Sequence, residues 1–386
     1  MYKVCRECEY RGTKRQPNGF RECWGALADA TPHVLDLCRV GQIGTKTFPD
    51  PIPPLLRSGR ASLLDLTQDE LGKEGAYRVR RLMQWEHSRD GGTEFIDPSL
   101  VRILRDHATD PGYPLHFVDF EACNVALPHH GGLRPYERVA FQWSCHTVHQ
   151  SGELTHAEWL NVDREFPNFA FVKTLRQALG DRGTIYVWSP YEQTTLRNVL
   201  TQLEEWIARD PEEAARVAQV ADVGDLESLA DWLNGLLGHE DEKGRRHSSR
   251  IRDLHDLALK YYFHPDMGGR TSIKVVLPAI WKADHALGTH PWFTQYLKTD
   301  GDGQPLDPYE ALEPLPLGDG GAEEDVVREG TGAIRAYQDF IFRAEAEPQA
   351  RANLQHLLLQ YCGLDTAAMV MIWVHWTKGS LIRGGV

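Results

Sequence analysis

From residue 114 onward, the apolar and polar positions fall into a recognisable order of elements. Leu115, Phe117, Val118 and Phe120 form a short apolar run that ends among acids, as a buried strand would. Residues 138–147 alternate like a strand, and 153–160 supply a hairpin partner. Apolar positions at helical spacing mark 169–179, and 184–188 read as a second buried strand. Ser189 stands as an N-cap with Pro190 at the first helical position, predicting a helix to about Ile207. More helices are expected over 211–237, and a long one from about Pro348 to Thr377. Three strands, a helix, a parallel strand and a helix make an α/β layered order.

The first hundred residues are patterned differently. Leucines 63, 64 and 66, then Tyr77 to Met83, give helical spacing over 55–108. The basic face of that stretch (Arg78, Arg80, Arg81) is expected to meet solvent or phosphates. The Pro-rich stretch TKTFPDPIPP reads as a linker. Residues 238–250 read as an exposed loop, and 299–332, rich in Gly, Pro and acids, as a flexible one. The expected division is a Cys-rich segment (1–44), a linker with a small helical module (45–110), and an α/β domain (111–386). That domain carries insertions near 209–250 and 295–332.

Composition narrows the class. With 386 residues, 41% apolar and 25% charged, the chain is neither disordered nor collagen-like. No apolar run reaches the roughly 20 residues of a membrane span. Its start carries Cys and charges where a signal peptide would have an apolar core. A cytoplasmic address with no membrane partner is therefore expected. Seven Cys in such a compartment suggest ligands or core residues. Cys5-x-x-Cys8 has the spacing of a metal knuckle, which Cys23 and Cys38 would complete, with His33 as a rival fourth ligand. A structural Zn²⁺ would staple a segment too small to hold a core of its own. Cys123, Cys145 and Cys362 lie in apolar runs and are expected in the core. No G-x-G-x-x-G, G-x-x-x-x-G-K-[ST] or G-x-S-x-G motif occurs, which sets aside dinucleotide, NTP-hydrolysis and Ser-hydrolase chemistry.

Acids at three places suggest divalent-metal chemistry. Asp119 and Glu121 are two apart on the first strand and so share a face. Two carboxylates there repel unless a cation lies between them, and oxygen donors suit Mg²⁺ or Mn²⁺; a solvated strand end would look the same. Tyr361 and Asp365, spaced i, i+4, share a face of an otherwise apolar helix. An Asp on that face needs a partner, which a cation would supply. Glu192 opens the helix after the second buried strand and faces the edge where α/β sheets collect ligands.

In that order, Asp-x-Glu, an acid at a helix start and Tyr-x-x-x-Asp resemble the motifs of the DnaQ-like, DEDDy-type 3′–5′ exonucleases, whose fold is RNase H-like. More narrowly, PLHFVDFEACNVALP, GLRPYERVAFQWSCHT, IYVWSPYEQTTL, GGRTSIKVVLPAI and YCGLDTAAM resemble a bacterial family of unknown function. Its members join a Cys cluster, often preceded by a RecB-type nuclease domain, to an exonuclease-like domain. The resemblance implies an RNase H-like mixed sheet flanked by helices, preceded by a metal-bound knob and a helical module. It implies hydrolysis of DNA or RNA with two Mg²⁺ or Mn²⁺ held by Asp119, Glu121 and Asp365, with Glu192 as the remaining acid and Tyr361 orienting water. Nucleic acid is the implied partner, along with other nuclease, defence or repair proteins. It also offers a [4Fe–4S] cluster as the alternative occupant of the Cys site. Glu192 departs from the family's Asp, so Asp253 is the alternative acid. That departure leaves two other readings open: a decayed binding or assembly protein, and an endonuclease on the same fold. Lys274, near a helix start, is a candidate phosphate contact.

Charge appears at first to oppose nucleic acid, since 42 Lys and Arg face 55 Asp and Glu, for a net −13. An acidic pocket accepts phosphate once divalent ions are bound. Basic residues at 11–15, 78–81 and 243–252 leave a strand somewhere to lie.

Overall fold

The computed structural model describes residues 2–8, 19–209, 211–220, 224–238, 248–313, 330–342 and 348–382. The basic run 11–15, residues 243–247 of the basic stretch 243–252, and residues 314–329 of the expected 295–332 insertion lie outside them. In chain order the helices and strands are α1 (Gly19–Trp24), α2 (Ile52–Arg57), α3 (Ala76–Arg89), β1 (Phe95–Ile96), α4 (Pro98–His107), β2 (Leu115–Asn124), β3 (Arg138–Val148), β4 (Leu154–Leu160), α5 (Asn168–Leu179), β5 (Thr184–Val187), α6 (Tyr191–Arg209), α7 (Pro211–Val220), α8 (Leu226–Leu237), β6 (Ile251–Asp253), α9 (Leu254–Tyr261), β7 (Tyr262–Phe263), α10 (Ile273–Ala283), α11 (His285–Thr289), α12 (Gly330–Phe342) and α13 (Pro348–Thr377). Two compact units form, one from residues 1–100 with 255–283, the other from 101–254 with 284–386.

The second unit is mixed α/β. Its five-stranded sheet has the order β4-β3-β2-β5-β6. β2 pairs antiparallel with β3 and parallel with β5, and β5 pairs parallel with β6. The central strand is buried nearly throughout because helices cover both its faces. Alternate residues separate the layers. Val118, Phe120, Trp143 and Val187 join a core with α5, α6 and α8. Phe117 instead meets Trp373 of α13 at 5.9 Å between rings, and Gln142 donates to the carbonyl of Leu358 at 2.8 Å. Asp119 and Glu121 share the face of Phe117, so α13 covers them. The register shifts between Glu121 and Ala122, just past the second acid.

The α13 helix is buried on nearly every side, with Trp373 and Trp376 among the largest fully enclosed side chains. This overturns one expectation. Arg351–Thr377 is long and apolar enough to cross a membrane by composition. Scattered Gln, Tyr, Asp and His residues break the run by eye without lowering its average enough to matter.

The first unit is helical, with a two-stranded β1–β7 ribbon. Val34, Leu35, Leu37, Leu63 and Leu66 centre its core. The expected basic face of α3 divides. Arg78 meets Glu74 at 3.0 Å. Arg80 and Arg81 turn inward to bond backbone carbonyls: Arg80 those of Ala258 and Tyr262, Arg81 those of Cys38, Leu71 and Arg39. Burial lowers Arg80 to about 10. Neither of these guanidiniums faces solvent.

Candidate active site

Acids from separated segments of the second unit meet near one end of β2. Ser189 Oγ accepts from the Tyr191 N–H at 3.1 Å, a local N-terminal lock that places Glu192 in the first turn of α6. Glu192 is buried, at 3% exposure. Burial pushes its carboxyl well above the usual carboxylate range, with like-charge repulsion from Asp119 and Asp253 adding to the rise. Its Oε2 has no hydrogen-bond partner among the described residues. Asp253 closes β6 opposite Val187, which brings the alternative acid into the same neighbourhood.

On the other side, α13 contributes four groups, two adjacent pairs about one helical turn apart: Tyr361 and Cys362, then Asp365 and Thr366. The Cys362 thiol donates to Asp119 Oδ2 at 3.4 Å. Burial, then the charges of Asp119, Glu121 and Asp365, hold that thiol far up in its neutral form. Tyr361 is raised by burial and by the same three acids, Asp365 first among them. Asp365 Oδ1 accepts from Tyr309 Oη at 2.5 Å. Thr366 fixes the helix against the sheet, contacting His146 Nδ1 at 2.8 Å and Ser144 Oγ at 2.9 Å.

Asp119, Glu121, Glu192, Tyr361, Asp365 and Asp253 are therefore electrostatic neighbours. Among the described residues, however, no three His, Cys, Asp or Glu side chains are set to hold a metal ion. The donor chemistry suits a hard divalent cation, and the orphaned Glu192 oxygen marks where one is needed. Among the present contacts, Cys362 donates to Asp119 and Tyr309 to Asp365. Lys274 is the second residue of α10, in the first unit.

Two residues here escaped sequence reasoning. Tyr309 lies in the 295–332 insertion, where composition suggested only a flexible loop. The Arg138 guanidinium stacks 4.7 Å over the Tyr191 ring and donates to Thr195 at 2.8 Å. Its pairing with Asn124 puts it beside the acids; a strand opening on Arg opposite the end of an acid-bearing strand was the available signal.

The cysteine expectation meets a different picture. Cys5 and Cys8 are half-buried, Cys23 is exposed and Cys38 is buried, all as free thiols. Cys38 is tied by its backbone, donating to Gln84 Oε1 at 2.9 Å. His33 caps a turn through the Leu35 N–H and packs against Phe20 and Trp24. Among the described residues, no three of these are set to hold a metal. Cys123, Cys145 and Cys362 are all buried, as expected of core residues.

Comparison with known proteins returns one family. The model of a domain of unknown function (DUF2779) matches residues 116–272. This range includes Asp119, Glu121, Glu192 and Asp253 and stops short of Tyr361 and Asp365. No curated protein matches, and no solved structure does.

Proposed function

We propose that the second unit is a divalent-metal-dependent nuclease of the DEDDy type on an RNase H-like sheet, cutting phosphodiester bonds from a 3′ end. The observation that carries this reading is the gathering of acids from β2, α6, β6 and α13 into one mostly buried neighbourhood. Five carboxylates from four segments are costly to crowd together unless a cation is their purpose. A mixed sheet flanked by helices, with Glu192 in the first turn of α6 and Asp253 at the end of β6, supports it further.

Asp119, Glu121, Glu192 and Asp365 would hold two Mg²⁺ or Mn²⁺, which supply a nucleophilic hydroxide and a counter-charge for the leaving oxygen. Tyr361, held neutral by its acidic neighbours, is an O–H donor able to orient the attacking water. Arg138 offers a fixed guanidinium at the same edge, suited to a phosphate oxygen. Glu192, whose carboxyl burial pushes toward its neutral form, would have to give up its proton for a cation to be held. The test is release of nucleotides from 3′-ended DNA or RNA with Mn²⁺. Purified Asp119→Asn should be inactive, and wild-type activity in that variant would refute the assignment. Closed circular substrate separates the endonuclease alternative.

The hydrogen bond from Tyr309 to Asp365 favours a second reading, a binding or assembly protein on a decayed site. Mn²⁺ should raise the melting temperature of an intact site and leave a decayed one unmoved.

A further inference from the structure

The first unit contains a cavity of about 530 Å³, walled by three stretches of chain: the 3-10 turn Tyr2–Glu7, residues 38–42 and the turn 269–272. Lys3, Arg6, Arg39 and Arg270 line it, and no carboxylate among the described residues does. In a chain with 13 more acids than bases, four cations around one hollow are a pronounced local reversal. A cavity of this kind draws in anions.

The backbone walls are fixed, and Arg6 is fixed with them. Arg6 bridges two of them, donating to the carbonyls of Leu37 at 3.2 Å and Gly268 at 2.8 Å. Gly269, at φ +70°, comes so close to residues 36–38 that a Cβ there would lie 2.1 Å from the Asp36 carbonyl oxygen. Thr271 Oγ1 is held by His255 Nε2 at 2.8 Å. Ser272, also on the wall, immediately precedes the 11-residue α10, so the amides of its first turn add positive dipole at the rim. Four guanidiniums, including Arg6 and Arg39, oppose the burial that raises the Cys38 thiol on this wall. Arg39 lies 4.9 Å over the Tyr77 ring, giving the mouth a flat cationic-aromatic face. Such faces suit a base.

We propose that this cavity binds a phosphate-bearing nucleotide. Its size fits a small organic ligand, four cations match more than one negative charge, and the stacked Arg39–Tyr77 pair accommodates a planar ring. The nucleotide is either free or the 5′ end of a strand, and experiment separates these. The inference does not depend on the nuclease reading, because its test runs without divalent metal.

The full chain is titrated in EDTA with ADP, and separately with fluorescein-labelled oligo-dT carrying a 5′-phosphate or a 5′-hydroxyl. Preference for the 5′-phosphate points to a strand end; ADP binding without that preference points to a free nucleotide. Either supports the proposal. The doubly exposed pair Lys3→Gln/Arg270→Gln should weaken the favoured probe at least tenfold, while Lys282→Gln, elsewhere on the same unit, binds as wild type. Should the double variant melt early, Arg270→Gln alone decides, with about threefold or greater weakening expected. Absence of binding by every probe at millimolar concentration, or undiminished binding by a folded cavity variant, overturns the proposal.

Discussion

The two units each crowd like charges, and they tolerate the crowding in opposite ways. In the second, acids are buried at the end of a sheet, where desolvation and repulsion are strongest. The chain relieves them by keeping Glu192 protonated and by giving Asp119 and Asp365 the protons of Cys362 and Tyr309 as donors. In the first, Lys3, Arg39 and Arg270 ring an open cavity with exposed side chains, where water does the relieving. Guanidinium cannot discharge itself at ordinary pH. Where the first unit does bury Arg, at Arg80, the charge is lodged against carbonyl oxygens. A carboxylate can therefore be buried as a reserve, neutral until a cation arrives, whereas an Arg must be solvated or satisfied at once.

The contrast can be broken most forcefully at Asp119. Under the proposed function, Asp119→Asn should lower Mn²⁺-dependent hydrolysis by about 10³-fold, since it removes charge that acts in the transition state; single-turnover assay of the purified variant reads this. Acid should act next. Burial holds His116 and His146 down to about 4 and about 3, so both stay neutral in the folded second unit. The unfolded chain binds their protons below about pH 6.5. Their stabilising contribution is whole above that pH and is lost as pH falls toward 4, by up to about 3 kcal/mol each. Urea titration from pH 7 to 4 measures it, and His146→Phe should flatten the slope.

A smaller effect is expected in the first unit. Gly269→Ala forces a Cβ against backbone at a left-handed position, costing about 2–3 kcal/mol; chemical unfolding would show the loss. Glu192→Gln should do the reverse in the second unit, stabilising it by about 1–2 kcal/mol at pH 7 without divalent ions. The sign follows from the raised carboxyl: its contribution is full below the ordinary Glu range and fades as pH climbs through the shifted value. Differential scanning calorimetry at pH 5 and 8 should show the variant's advantage only at the higher pH. Tyr309→Phe is the smallest, about 1 kcal/mol, and should ease Mn²⁺ binding by freeing Asp365, as read by calorimetric titration.

Much of this arrangement was legible beforehand where it depended on short-range pattern. Residues 348–377 form one helix because their apolar spacing is uninterrupted by Pro or Gly pairs. Ser189 and Pro190 mark the start of α6 through local chemistry. What escaped was set at long range. β6 is three residues long, too short for alternation to show. The inward turn of Arg80 requires the carbonyl of Tyr262, 182 residues away. No linear segmentation joins residues 255–283 to the first hundred. Tyr309 acquires meaning only through Asp365, a partner 56 positions away.

The α13 helix also sets a schedule. Cys362 and Asp119, which touch, are separated by 243 positions. At about 5–20 residues per second of synthesis, the face of β2 bearing Phe117, Asp119 and Glu121 emerges roughly ten seconds to a minute before its cover is made. Throughout that interval the nascent chain presents an unroofed apolar strand with its acids open to water. A ribosome that stalls before residue 348 leaves an adhesive intermediate, and the acid cluster assembles only once α13 has been made.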